Sequence, residues 1–225
     1  MQKWISVLSQ CPIFKNLPDN EILNFFSSIP YSINNYPKDD LIYRTGDTAS
    51  RIGIILSGHL EIRKCLSSGN FISLFHRTKG EVLGGSIVFC SRPQYPCDVV
   101  TKEDSLILWI EKDAALNAFL KTPVIAANII RISANRIMQL ENRVELFTFY
   151  SIQKKIAFSL LNDFAIDKDQ SILIPFSKTT WAEYLNVSRT SLSRELKNLC
   201  YAGTIKVDGR RITILQMDML EAVFI

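Results

Sequence analysis

A chain of 225 residues with 47% apolar content can pack one large or two modest domains. It has no 18-residue apolar run to span a membrane, no secretory leader in Met1–Leu8, and no disulfide framework or C-x-x-C pair among Cys11, Cys65, Cys90, Cys97 and Cys200. The expectation is a cytoplasmic protein with no membrane partner and no metal site. The net charge of +4 is uneven: residues 1–120 carry 12 basic and 12 acidic side chains, whereas Ser177 to Arg211 carries 7 basic against 3 acidic.

The chain begins with a helical lead over residues 13–29. Pro18-Asp19-Asn20-Glu21 opens it, and Ile22, Leu23, Phe25 and Phe26 are its buried side. From Leu41 short apolar runs follow at close spacing: Leu41–Tyr43, Ile52–Leu56, Leu60–Ile62, Phe71–Phe75, Cys97–Val100 and Leu106–Ile110. Gly46-Asp47, Ser57-Gly58, Ser67-Ser68-Gly69-Asn70, Lys79-Gly80, Gly84-Gly85 and Ser91-Arg92-Pro93 punctuate them. This spacing predicts a β-barrel or double-sheet roll, an architecture that often encloses a small-molecule cavity.

A helical period returns near Glu111 and dominates from Pro123 to Phe149. Ile130, Ile137 and Val144 stand seven apart, with Ser133, Leu140 and Phe147 three residues after each. That is an a/d seam over about three heptads. Ile125, Ile129 and Ile132 add a second apolar face. Two faces predict one packed at home and one on a second copy, with Ile130, Ile137, Leu140, Val144 and Phe147 as the dimer face.

Ser177 to Lys197 reads as two short helices joined by a tight turn. Ser177 and Ser188 suit N-caps, and Asn186 suits a left-handed turn residue. Trp181, Leu185, Val187, Leu192, Leu196 and Leu199 make the apolar inner face. Arg189, Thr190, Ser191, Arg194 and Lys197 are left on the outer face, where arginine can pair with guanine and lysine with phosphate. Gly203–Ile214 follows as two alternating strands about an Asp208-Gly209 turn. A hairpin directly after such a helix is a wing, with Arg210 and Arg211 placed toward backbone phosphates. The residues assigned to DNA are therefore Ser177, Lys178, Thr179, Ser188, Arg189, Thr190, Ser191, Arg194, Lys197, Arg210 and Arg211.

This order of parts resembles the bacterial family of the cyclic-AMP receptor protein and the fumarate–nitrate reductase regulator (Crp/Fnr). The resemblance rests on Gly46-Asp47, Ile54–Leu60, Lys79–Gly84 and Val187–Leu196, and extends from about Phe14 to Leu220. It implies an α+β chain: a β-roll (double-stranded β-helix) sensor at 1–120, a long dimerisation helix at 121–150 and a winged helix-turn-helix at 151–225. It further implies a homodimeric transcription regulator on palindromic double-stranded DNA, with RNA polymerase as a partner and a small-molecule effector in the roll. By that analogy the effector pocket is drawn at Gly84, Gly85, Ser86, Tyr95 and Leu140.

The departures are specific. Cyclic-nucleotide-binding members follow the matching Gly with a Glu for the ribose, place an Arg on the cyclic phosphate and use a Thr-Ser pair for adenine. Here Gly85, Tyr95-Pro96 and Leu140-Glu141 stand at those places. A buried phosphate without a cationic partner is costly, which argues against cyclic AMP. Only Cys11 lies in the first 60 residues, which argues against an iron–sulfur cluster, and Cys65 and His76 have blander roles than haem ligation. Thr190 replaces the prototype's Glu and implies a different base preference at that step. Two other readings compete. One is a ligand-binding signalling module acting on a protein without DNA, against which the basic C-terminal surface speaks. The other is an enzyme on a cupin-like barrel, which His59, His76 and Glu61 do not equip.

Overall fold

The computed structural model describes residues 1–66 and 68–223. Ser67, the first residue of the turn expected at 67–70, lies outside the described residues, as do Phe224 and Ile225. The chain forms two compact units, residues 1–134 and 135–225.

The first unit opens with α1 (Ile5–Leu8), a 3-10 turn at Pro12–Phe14 and α2 (Asp19–Ser27). Phe14, Phe25 and Phe26 meet edge-on with centroids within 5.5 Å of one another, anchoring this lead on the core. Eight strands follow: β1 (Ser32–Tyr36), β2 (Leu41–Tyr43), β3 (Arg51–Ser57), β4 (His59–Cys65), β5 (Phe71–Thr78), β6 (Val82–Leu83), β7 (Asp98–Thr101) and β8 (Ser105–Glu111). They build two antiparallel four-stranded sheets, ordered β1-β8-β3-β6 and β2-β7-β4-β5. Every expected strand forms. β1 and the two-residue β6 are additions. The β1 sequence Ser-Ile-Asn-Asn-Tyr is mostly polar and exposed, so no apolar run marks it. It is recruited by pairing along β8, from Ser32 opposite Trp109 to Tyr36 opposite Ser105.

Two glycines make room for the aromatic centre of the roll. A Cβ on Gly53 would lie 2.6 Å from the Trp109 ring, and one on Gly84 would lie 2.8 Å from the Tyr95 hydroxyl. Tyr95 stacks on Tyr43 with centroids 4.1 Å apart. Arg51 donates from Nε to the Tyr43 hydroxyl at 2.9 Å and lies over Trp109 at 4.4 Å.

α3 (Lys112–Lys121) leads into α4 (Pro123–Thr148). Of the expected home face of α4, Ile125 is buried and Ile129 half-buried, but Ile132 is 41% exposed. Asn128 takes its place. Its amide donates to the carbonyls of Ile13 at 3.0 Å and Lys15 at 2.7 Å, and its Oδ1 accepts from Arg131 at 3.0 Å. A buried side chain with both ends satisfied can serve where an apolar one was expected.

The second unit contains residues 135–148 of α4, then α5 (Ile152–Asn162), β9 (Ser171–Leu173), α6 (Lys178–Tyr184), α7 (Arg189–Tyr201), β10 (Ile205–Asp208), β11 (Arg211–Ile214) and α8 (Met217–Ala222). β10, β11 and β9 form one antiparallel sheet. Leu146, Ile156, Trp181, Leu185, Leu192, Leu196, Ile212 and Ile214 belong to its core. The wing hairpin differs from expectation by one residue. Asp208 pairs with Arg211 inside the ladder, so the tip is Gly209-Arg210. Gly209 takes φ +58° there, which suits a glycine-first two-residue turn. No single helix among the described residues is long and apolar enough to cross a membrane.

Candidate nucleic-acid interface

α6 and α7 are each started by a serine. Ser177 Oγ accepts from the Thr180 backbone N–H at 3.1 Å, and Ser188 Oγ from that of Ser191 at 3.0 Å. Each oxygen satisfies one of the orphan donors of a first helical turn. Between the helices Asn186 sits at φ 52°, and the Val187 N–H reaches back to the Ala182 carbonyl at 2.9 Å. Beneath the turn, buried Lys155 donates from Nζ to the Leu185 carbonyl at 3.2 Å. A cation at the C-terminus of α6 complements the helix dipole and fixes the turn from below. Trp181 Nε1 donates to the Ser159 hydroxyl at 3.2 Å, tying α6 to α5.

With Leu192, Leu196 and Leu199 in the core, the opposite face of α7 is open. Arg189, Thr190, Ser193, Arg194 and Lys197 line one shallow depression of about 410 Å³. Positions 189, 193 and 197 make one row of that face, and 190 and 194 the next. Ser193 was not among the expected residues, although the four-residue spacing from Arg189 and Lys197 could have found it. Ser191, by contrast, is occupied in the cap, where the Ser188 hydroxyl donates to its Oγ at 2.8 Å.

Arg194 is oriented by its neighbour. Its Nε donates to Glu195 Oε1 at 3.1 Å, while Gln153 and Asn198 each donate to Glu195 Oε2 at 3.0 Å. The Asn198 hydrogen bond is the first cause holding the Glu195 carboxyl below the usual carboxylate range. Glu195 escaped the sequence reading because its partners come from α5 and from the next turn of α7.

At the wing, Lys178, Gly209 and Arg210 flank one crevice, which brings the start of α6 beside the hairpin tip. Arg211 is engaged elsewhere: its Nη1 donates to the Ser171 hydroxyl at 3.1 Å. Ser177, Lys178, Thr179, Ser188, Arg189, Thr190, Arg194, Lys197, Arg210 and Arg211 are all exposed.

The residues drawn around an effector are divided between the two units. Gly84 and Tyr95 do meet, but the Tyr95 ring itself fills the space beside Gly84, packed on Tyr43. Burial holds the Tyr95 phenol well above its usual range, and its hydroxyl has no hydrogen-bond partner among the described residues. Gly85 is half-buried and Ser86 exposed. Leu140 belongs to the second unit, where it lines an open apolar groove on α4 with Ile137, Glu141, Val144, Glu145 and Thr148. Ile130, Ile137, Leu140, Val144 and Phe147 are each about half or more exposed.

The family model described as a cyclic nucleotide-binding domain matches residues 33–122, and the one described as a Crp-like helix-turn-helix domain matches residues 154–223. The anaerobic regulatory protein of Bacillus subtilis is 21% identical over 222 residues, covering 96% of this chain and 93% of its own length. The cyclic AMP receptor protein of Thermus thermophilus is 20% identical over 215 residues, covering 94% of this chain and 96% of its own. The crystal structure of Thermus thermophilus catabolite activator protein shares the fold with a TM-score of 0.55, at 20% identity and with 95% of this chain and 98% of that one covered.

Proposed function

Because the chain belongs to the Crp/Fnr family of helix-turn-helix transcription regulators, we propose that it acts as a homodimer whose two α7 helices read the half-sites of an inverted repeat in promoter DNA. The observation that carries this reading is the open face of α7, where Arg189, Thr190, Ser193, Arg194 and Lys197 share one depression. Arg194 would read a base and Lys197 a phosphate. The α6 start at Ser177, Lys178 and Thr179 and the tip residue Arg210 would hold the backbone, since phosphate contacts set register while base contacts set sequence. Arg211 supports the wing through Ser171 and reaches DNA less directly.

Dimerisation is assigned to the α4 stripe at Ile130, Ile137, Leu140, Val144 and Phe147, whose exposure in a single chain is hard to sustain in water. A parallel pair would set two recognition helices about one turn of DNA apart, or about 34 Å. Residues 1–120 act as sensor, 121–150 as the coupling helix and 151–225 as the DNA-binding head, in the cytoplasm, with RNA polymerase as the downstream partner. The sensor is assigned an effector other than cyclic AMP. Gly85 supplies no carboxylate for the ribose, Tyr95-Pro96 no guanidinium for the cyclic phosphodiester, and Leu140-Glu141 no hydroxyl for the base. No residue is assigned a catalytic role.

Mobility-shift titration of the purified chain against fragments of its own genome tests the reading. Retention of a small set of promoter fragments, unchanged by added cyclic AMP, is expected. Equal retention of all fragments, or of none, contradicts it.

A further inference from the structure

The only two histidines of the chain, His59 and His76, lie 17 positions apart in sequence. The β4–β5 ladder sets Glu61 opposite His76 and His59 opposite Thr78. Both imidazoles and the Glu61 carboxylate therefore share the outward face, while Leu60 between them is buried in the core. His59 Nε2 and His76 Nδ1 come within 3.0 Å, with ring centroids 4.9 Å apart and the planes tilted by 48°.

The far side of His76 meets a serine hydroxyl. His76 Nε2 lies 3.3 Å from the Ser73 hydroxyl. Glu61, on the same face, pairs with Lys102 at 3.4 Å. A hydrogen bond from His76 Nε2–H to Ser73 Oγ leaves the His76 lone pair on Nδ1, facing His59. Histidines that ligate metals are commonly backed in this way, through a hydrogen bond from the other ring nitrogen.

We propose that His59 Nε2 and His76 Nδ1 form a two-imidazole site for a divalent transition ion such as zinc on the outer sheet of the β-roll, with Ser73 supporting His76. Imidazole nitrogens suit zinc, nickel and copper. Two nitrogens bound at about 2.0–2.1 Å stand about 3 Å apart at a right angle and about 3.3 Å apart at the tetrahedral angle. The observed 3.0 Å already lies in that span. On binding, His59 moves its proton from Nε2 to Nδ1, freeing the second lone pair without net proton release. Among the described residues no third His, Cys, Asp or Glu joins the pair. Water completes the shell, and exposed His76 lets the ion enter. The affinity is accordingly below that of closed four-ligand sites. This site is independent of the DNA reading.

Calorimetric titration of the full chain with zinc chloride, under a non-thiol reductant, tests it. One saturable ion per chain is expected, with affinity falling at least tenfold in His59→Gln and in His76→Gln. Ser73→Ala should weaken binding about 10- to 100-fold, the usual effect of losing a supporting hydrogen bond. Nitrogen-15 NMR of the imidazoles supplies a second readout, in which zinc shifts His59 Nε2 and His76 Nδ1. No saturable binding, or binding unchanged in both glutamine variants, overturns the site. So does a shift confined to the opposite ring nitrogens.

Discussion

The Arg194 guanidinium is tethered through Nε, which leaves its two terminal nitrogens for the paired hydrogen bonds that guanine O6 and N7 accept. Arg194→Ala should cost about 1–3 kcal/mol at one base position per half-site and relax preference there. Lys197→Ala should instead weaken all sequences alike and lower the salt slope of binding by about one per protomer. Anisotropy titrations on a panel of single-base variants separate the two, and equal losses across the panel for both would refute the division of roles. Glu195→Ala should resemble a milder Arg194→Ala on that panel. In the roll, Gly53→Ala drives a methyl into Trp109, at a cost of about 1–3 kcal/mol by urea denaturation. At this scale the sequence was legible where the grammar is local. Ser177, Ser188 and Asn186 occupy the cap and turn geometry their chemistry suggests. Glu195 and the His59–His76 pair were not legible, because their partners arrive through tertiary packing and strand pairing.

Helix α7 depends on its first cap, and Ser188→Ala should destabilise the second unit by about 1 kcal/mol in thermal melts. On α4, Ile137→Asp together with Val144→Asp should convert a dimer to a monomer in analytical ultracentrifugation. The fold of each unit should survive, since both side chains are exposed. A cluster at the end of α5 sets a pH dependence. Burial raises the Asp163 carboxyl above its usual range, despite Tyr184, Ser159, Asn142 and Arg143 around it. Tyr184 is pushed up to about 12, first by burial and then by Asp163. Folding therefore favours protonated Asp163. Its contribution is fullest below the ordinary carboxylate range and is lost as pH rises through the folded value. Asp163→Asn should be the more stable protein at neutral pH, with the gap closing in acid. The elements missed by sequence have plain reasons. Lys155–Leu160 of α5 is buried without interruption, so no amphipathic period shows. β9 has only three residues and depends on pairing with β11.

Across the whole molecule, the basic excess from Ser177 to Arg211 falls on the unit that carries the helix-turn-helix and wing. The order of roll, long helix and winged head was readable because each part has its own period: two, then three and a half, then capped short helices. The interior of the roll was not readable. Which side chains fill it depends on contacts such as Tyr95 against Gly84, brought together from residues 11 positions apart. The measurement that bears most directly on the central claim is selection from a randomised duplex pool by the purified full chain without added nucleotide. Enrichment of an inverted repeat with half-site centres about 10 base pairs apart, losing one preferred base per half-site in Arg194→Ala, is the predicted result. Enrichment of no sequence, or of a repeat indifferent to that substitution, would contradict it.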